Sequence, residues 1–126
     1  MTHRWTDYLF IAATIVLTVA GQFLLKWRMD QAGPMPAGAG PAVRFLVGLL
    51  LDPFVIASFF SAFLAALAWM ATLTRFELST AYPFTSLSFV VVLVVGVMFL
   101  GETWSLAKVG GVALIVLGTV VVSARG

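Results

Sequence analysis

The sequence predicts an all-α membrane protein, a bundle of four transmembrane helices in one domain spanning residues 1–126. Two observations predict it. Of 126 residues, 62% are apolar and only 10% charged, with a mean hydropathy of +1.11. Soluble domains are roughly half apolar and about a quarter charged, so this chain lacks the polar surface a small soluble domain needs. The apolar residues also fall into four long runs. A spanning helix needs roughly 20 mostly apolar residues, and runs this long and continuous do not alternate as barrel strands do.

The first helix runs from Tyr8 to Leu25, between Asp7 and Lys26. Its charged start and Thr18-Val19-Ala20 resemble a cleaved leader. The apolar run nevertheless continues through Phe23-Leu24-Leu25 and three spans follow, so the helix is expected to be retained. Residues 29–41 form a Gly/Pro/Ala-rich loop, MDQAGPMPAGAGP, that cannot be helical throughout. Val43 to Leu51 is a short apolar segment carrying Arg44, expected at the interface, with a kink at Asp52-Pro53. The second helix spans Pro53 to Leu73, the third Ser79 to Leu100, and the fourth Leu106 to Ser123. The links TRFEL and GETWS are short, which forces antiparallel neighbours.

Charge placement gives little orientation. Arg4, Arg75 and Arg125 lie on one side, and Lys26, Arg28, Arg44 and Lys108 on the other. Two readings stay open: a weak bias settled by the first helix or a partner, or a chain that inserts both ways or needs an oppositely oriented partner. Trp5, Trp27, Trp69 and Trp104 lie near helix ends and read as interfacial anchors, with Trp69 placed where it can also face a cavity.

Several chemistries are excluded. There are no cysteines, and the single histidine is His3 near the N-terminus. No cofactor or metal site is expected, no nucleophile–base pair is present, and the sparse charge does not suit nucleic acid. The chain does not read as an enzyme. No acid lies inside a span, which argues against a proton-driven cation exporter.

Three features remain. Thr18, Gln22 and Lys26 stand at i, i+4 and i+8, on one stripe of the first helix. The stripe is either packing, with Gln22 tying helices and Lys26 snorkelling, or a polar path with Lys26 and Arg28 receiving a phosphate at its mouth. Near the start of the third helix Pro83 leaves backbone carbonyls free, and Tyr82, Thr85, Ser86 and Ser88 supply hydroxyls that either permit tight packing or line a headgroup cavity. Gly111 and Gly118 are seven apart on one face of the fourth helix, suited to close helix contact within or between subunits.

Four short helices with these motifs resemble the small multidrug resistance proteins of the drug/metabolite transporter (EamA-like) superfamily. The likeness is clearest in YLFIAATIVLTVAGQFLLK and in AYPFTSLSFVVVLVVGVMFLGETWSLAKVGGVALIVLGTVVVS. The GGVALIVLG stretch resembles that family's dimer motif, which implies that Gly111 and Gly118 meet a second subunit. Thr18 stands where the exporters carry an essential glutamate, so their mechanism does not carry over. Within the superfamily the chain is most similar to the undecaprenyl-phosphate-aminoarabinose flippase subunits, on TVAGQ (Thr18 to Gln22), Ala81-Tyr82-Pro83, Ser86-Leu87 and Phe89-Val90.

That resemblance implies a subunit that moves a polyprenyl-phosphate-linked sugar, or a related glycolipid, across the bacterial inner membrane as a homodimer or heterodimer. It implies substrate contacts from Thr18, Gln22, Tyr82 and Ser86, in a groove between the first and third helices. Lys26 and Arg28 would hold the phosphate. Two alternatives stay open: a multidrug-type exporter of small cationic or polar metabolites, and a non-transporting membrane subunit of an envelope glycolipid enzyme.

Overall fold

The structure is a computed structural model that describes residues 5–125. His3 and Arg4 lie outside the described residues, as does the side chain of Arg125. Every regular element is helical: α1 (Trp5–Ala32), α2 (Ala39–Leu50), α3 (Pro53–Leu73), α4 (Leu78–Thr85), α5 (Ser88–Phe99) and α6 (Leu106–Arg125). Four stretches are long and apolar enough to cross a membrane: α1, α3, α4 with α5 taken together, and α6. Large side chains such as Phe60, Phe63, Leu114 and Leu117 are exposed on the outside of the bundle. In a bilayer that surface meets lipid rather than water.

α1 is the central helix. It packs chiefly on α3, then on α5 and α4, while α6 packs on α4 and α5. Along α1 and α3 the facing pairs are Asp7 with Arg75, Leu17 with Ser61, Gly21 with Ser58, and Arg28 with Asp52. Their numbers run in opposite directions, so the two helices are antiparallel. The contact is close because Gly21 has no side chain. A Cβ there would sit 3.0 Å from the Ser58 carbonyl oxygen. One turn away the Ser61 hydroxyl donates to the Leu17 carbonyl at 2.6 Å. Small residues and interhelical hydrogen bonds hold helices together where lipid removes the hydrophobic drive. At one end of the bundle, Ile11, Phe76 and Ala81 form a buried cluster that joins α1 to α4, with Ile15, Trp69 and Phe84 against it. Trp69 stacks edge-on against Tyr82, their ring centroids 6.0 Å apart.

Several boundaries differ from the sequence expectation, for local reasons. α1 runs from Trp5 to Ala32 rather than from Tyr8 to Leu25. Met29 to Ala32 are compatible with helix, and Lys26 pairs with Asp30 one turn on at 2.8 Å. The loop is therefore shorter than residues 29–41. It starts at Gly33, whose φ of 85° suits only glycine and whose N–H closes the helix onto the Met29 carbonyl at 3.2 Å. α2 starts at Ala39 rather than Val43, because Pro41 falls in its first turn, where a missing N–H costs nothing.

The third predicted helix is not continuous. It breaks at Ser86-Leu87, between α4 and α5. Pro83 cannot donate to the ladder. Just beyond it the N–H groups of Ser86 and Leu87 turn to the Pro83 and Phe84 carbonyls, at 3.1 Å each. This tightened turn interrupts the α-helical pattern.

α3 starts on a well-made cap. Asp52 Oδ1 accepts from the N–H groups of Phe54 and Val55, and Pro53 occupies the first helical position. Asp52 Oδ2 accepts from Arg28 Nε at 2.8 Å. Burial works to raise the Asp52 carboxyl, but the Arg28 hydrogen bond and the two backbone donors outweigh it and hold the group below the usual carboxylate range. The stabilisation is therefore fully present above the unfolded-state value and is lost as pH falls through the lowered folded value. Melting of the detergent-solubilised protein should lose stability on acidification through the carboxylate range. Asp52→Asn should start less stable at neutral pH and show a flatter acid limb; an unchanged limb would contradict this role.

Candidate functional site

One face of α1 looks toward α4 and α5 and carries Thr18, Gln22 and Lys26. The structure opens cavities along this stripe. The first, about 370 Å³, is lined by Thr14 and Thr18 from α1 and by Tyr82, Thr85, Ser86 and Ser88 from around the α4–α5 break, with Pro83 and Phe89. The second, about 160 Å³, is lined by Gln22 and Lys26 from α1, by Val92, Val95 and Gly96 from α5, and by Leu100 and Glu102 beyond it. Beside the second lies a wholly apolar cleft of about 460 Å³. Val19, Phe23 and Val95 line both.

The break is what brings polar groups to the first cavity, whose lining is otherwise mostly apolar. The Pro83 carbonyl accepts from Ser86 N–H at 3.1 Å and from the Thr119 hydroxyl of α6 at 2.9 Å. It also accepts from the Ser86 hydroxyl. Ser86 and Thr119 lie 3.0 Å apart through their hydroxyl oxygens. Thr119 is buried and ties the broken span to α6. Irregular backbone at membrane depth survives only where protein partners satisfy it or where it lines a cavity, and here both hold. Thr85 donates to the Tyr82 carbonyl at 2.6 Å and Thr14 to the Phe10 carbonyl at 2.8 Å. Their oxygens remain acceptors toward the cavity.

Gln22 and Thr18 differ from these hydroxyls. Among the described residues neither side chain has a hydrogen-bond partner in the protein. A glutamine amide on a spanning helix is costly unless something polar meets it. Here it faces a cavity, so a polar ligand can fill that role. The structure thus brings Thr18, Tyr82 and Ser86 into one cavity and Gln22 and Lys26 into the next.

Lys26 and Arg28 are not brought together. Residues two apart point to different sides of a helix. Lys26 faces the cavity and pairs with the half-exposed Asp30 at 2.8 Å. Arg28 turns to α3, where Asp52 holds it at 2.8 Å, and it does not line the cavities along the stripe. The two cations that the sequence reading places at the mouth of the path therefore meet different neighbours: Lys26 lines the cavity, and Arg28 is held at the start of α3.

Gly111 and Gly118 lie on the outward side of α6, with open space where a Cβ would stand. Exposed Leu114, Leu117 and Val121 accompany them. Among the described residues no second helix covers that face at Gly111 and Gly118.

Sequence reasoning missed Thr119 and Glu102 as neighbours of these cavities. Thr119 carried a signal, as a lone hydroxyl within an apolar helix. Glu102 carried little, because it reaches the cavity only through the turn at Gly101, whose φ is 68°.

No family model matches the chain, and no solved structure matches it. Curated relatives do. A protein of Erwinia tasmaniensis, described as a probable 4-amino-4-deoxy-L-arabinose-phosphoundecaprenol flippase subunit ArnF, is 34% identical over 90% of this chain and 91% of its own length. The protein of the same description from Pseudomonas fluorescens is 31% identical, over 98% of this chain and 91% of its own. A Pseudomonas aeruginosa relative, again of that description, is 29% identical over 94% of this chain and 85% of its own. With its four membrane-crossing stretches, the chain is a multi-pass protein of the bacterial inner membrane. Matched at this level over nearly its whole length, the protein belongs to the 4-amino-4-deoxy-L-arabinose-phosphoundecaprenol flippase subunit family.

Proposed function

We propose that the chain is one subunit of a flippase that carries a polyprenyl-phosphate-linked aminosugar between the leaflets of the inner membrane. The observation that carries this reading is the side-by-side arrangement along α1. Cavities that carry polar side chains at Thr18 and at Gln22–Lys26 adjoin a wholly apolar cleft that shares Val19 and Phe23 with the second of them. A lipid-linked sugar needs this combination: shelter for a polar headgroup and an apolar lane for its chain.

In this mechanism the headgroup enters at the Lys26 end. The Lys26 ammonium leaves Asp30 and takes the phosphate. Both members of that pair are half-exposed, and such pairs hold weakly, so phosphate displaces Asp30 at little cost. Gln22, Thr18, Tyr82 and Ser86 then offer hydrogen bonds to sugar hydroxyls as the headgroup moves along the stripe. These bonds lower the cost of taking polar groups through hydrocarbon. The isoprenoid chain stays in the apolar cleft and the surrounding lipid. The uncovered face of α6 at Gly111 and Gly118 receives a second subunit, the same chain or a related one, which closes the groove. The matched relatives are transporter subunits rather than enzymes, and no catalytic step is assigned to this chain.

Lipids that co-purify with the protein from its native membranes test this. Mass spectrometry should find a polyprenyl-phosphate aminosugar enriched over bulk phospholipid, and Lys26→Ala should reduce that enrichment. A preparation containing bulk phospholipids alone would count against the reading.

A further inference from the structure

The cavity at the Lys26 end carries both signs of charge. Lys26 stands on its α1 wall, Glu102 on the wall beyond α5, and Gln22 beside Lys26. The Glu102 carboxylate occupies a definite place. The positive φ of Gly101 turns the chain back, and Glu102 N–H donates to the Gly96 carbonyl at 3.0 Å. The carboxylate then lies over Gly96, so close that a Cβ there would stand 2.5 Å from Oε1. Gly96 is buried and leaves the slot that the carboxylate fills. Glu102 itself stays exposed, so its carboxylate is held over Gly96 and remains reachable by a ligand.

We infer that Glu102 is a specificity-determining residue that recognises the ammonium group of the lipid-linked aminosugar, while Lys26 takes the phosphate of the same headgroup. The inference rests on the transport reading above. A headgroup with one cationic and one anionic site matches a cavity with one carboxylate and one ammonium. A sugar whose amine is acylated presents no cation, so it leaves the Glu102 carboxylate without a partner. Discrimination of this kind comes as much from the penalty on the wrong ligand as from attraction of the right one. Since the cavity lies at the Lys26 end of the stripe, selection takes place before the headgroup reaches the hydroxyls at the α4–α5 break.

Inner-membrane vesicles from the native host, containing the full assembly, are loaded with two fluorescent short-chain polyprenyl-phosphate probes. One carries the 4-amino sugar and the other its N-acetyl derivative. Wild-type vesicles should translocate the amino probe roughly tenfold faster or more, the order expected for a lost charge-assisted contact. In Glu102→Gln the ratio should fall toward one, through loss of amino-probe transport and some gain in N-acetyl transport. Glu102→Asp should keep part of the preference. Gly96→Ala, which fills the slot, should lower the ratio even where Glu102 is intact. An unchanged ratio in Glu102→Gln overturns the inference and leaves the transport reading standing. Equal loss of both probes at normal protein level also overturns it, since that is the mark of a structural role. Failure of wild-type vesicles to move either probe overturns the transport reading itself, and the inference with it.

Discussion

Lys26→Ala should remove most headgroup translocation while the chain still folds and inserts. Lys26 is the cation of the stripe that faces a cavity, since Arg28 is committed to Asp52. Its loss leaves the phosphate without a charged partner at the mouth of the path. Host cells lacking the native gene, complemented with the variant, should expose roughly a tenth or less of the wild-type aminosugar lipid on the outer face. A membrane-impermeant amine reagent reads this. Lys26→Arg should restore part of the signal, because charge is retained in a different geometry. Arg28→Ala should act differently, lowering stability through Asp52 more than it lowers transport at matched protein level. Wild-type exposure in Lys26→Ala cells would remove Lys26 from the site.

Gly21→Val should loosen the central packing of the bundle. The added Cβ would meet the Ser58 carbonyl oxygen at 3.0 Å and Ser61 Cβ at 3.4 Å. A backbone carbonyl gives way only if α3 moves, and α3 is also tied to α1 through Ser61 and Leu17. Overpacking of this kind costs about 1–3 kcal/mol. The detergent-solubilised variant should melt several degrees lower, and less of it should accumulate in the membrane. Gly48→Val is the matched control, since a Cβ on that α2 glycine meets nothing within 4 Å. Equal melting of the two variants would contradict the close α1–α3 contact.

Much of the fold was legible because lipid imposes simple rules. Spans must be long and apolar, so the four long hydrophobic runs coincide with the four stretches able to cross a membrane. The Thr18–Gln22–Lys26 stripe was legible for the same kind of reason, since helical spacing fixes which side chains share a face. The break at Ser86-Leu87 was not. Pro83 announces a weakness in the ladder, but one partner that secures the Pro83 carbonyl at the break is Thr119, 36 residues away on another helix. The divergence of Lys26 and Arg28 was written in their spacing. Glu102 marks the limit of sequence reasoning. Gly101-Glu102 reads as an ordinary helix stop, with Glu102 an interface or loop partner for a cation, and only the turn geometry and the slot at Gly96 bring its carboxylate into the cavity of Lys26.

The central claim is that this chain takes part in moving a polyprenyl-phosphate-linked aminosugar between the leaflets of the inner membrane. The most direct measurement compares host cells without the chain to cells in which it is restored, labelling intact cells with the impermeant amine reagent and quantifying total lipid-linked aminosugar after lysis. The account predicts that removal lowers the surface-labelled fraction severalfold while the total is maintained or rises, and that restoration returns it. An unchanged surface fraction in cells without the chain would contradict it.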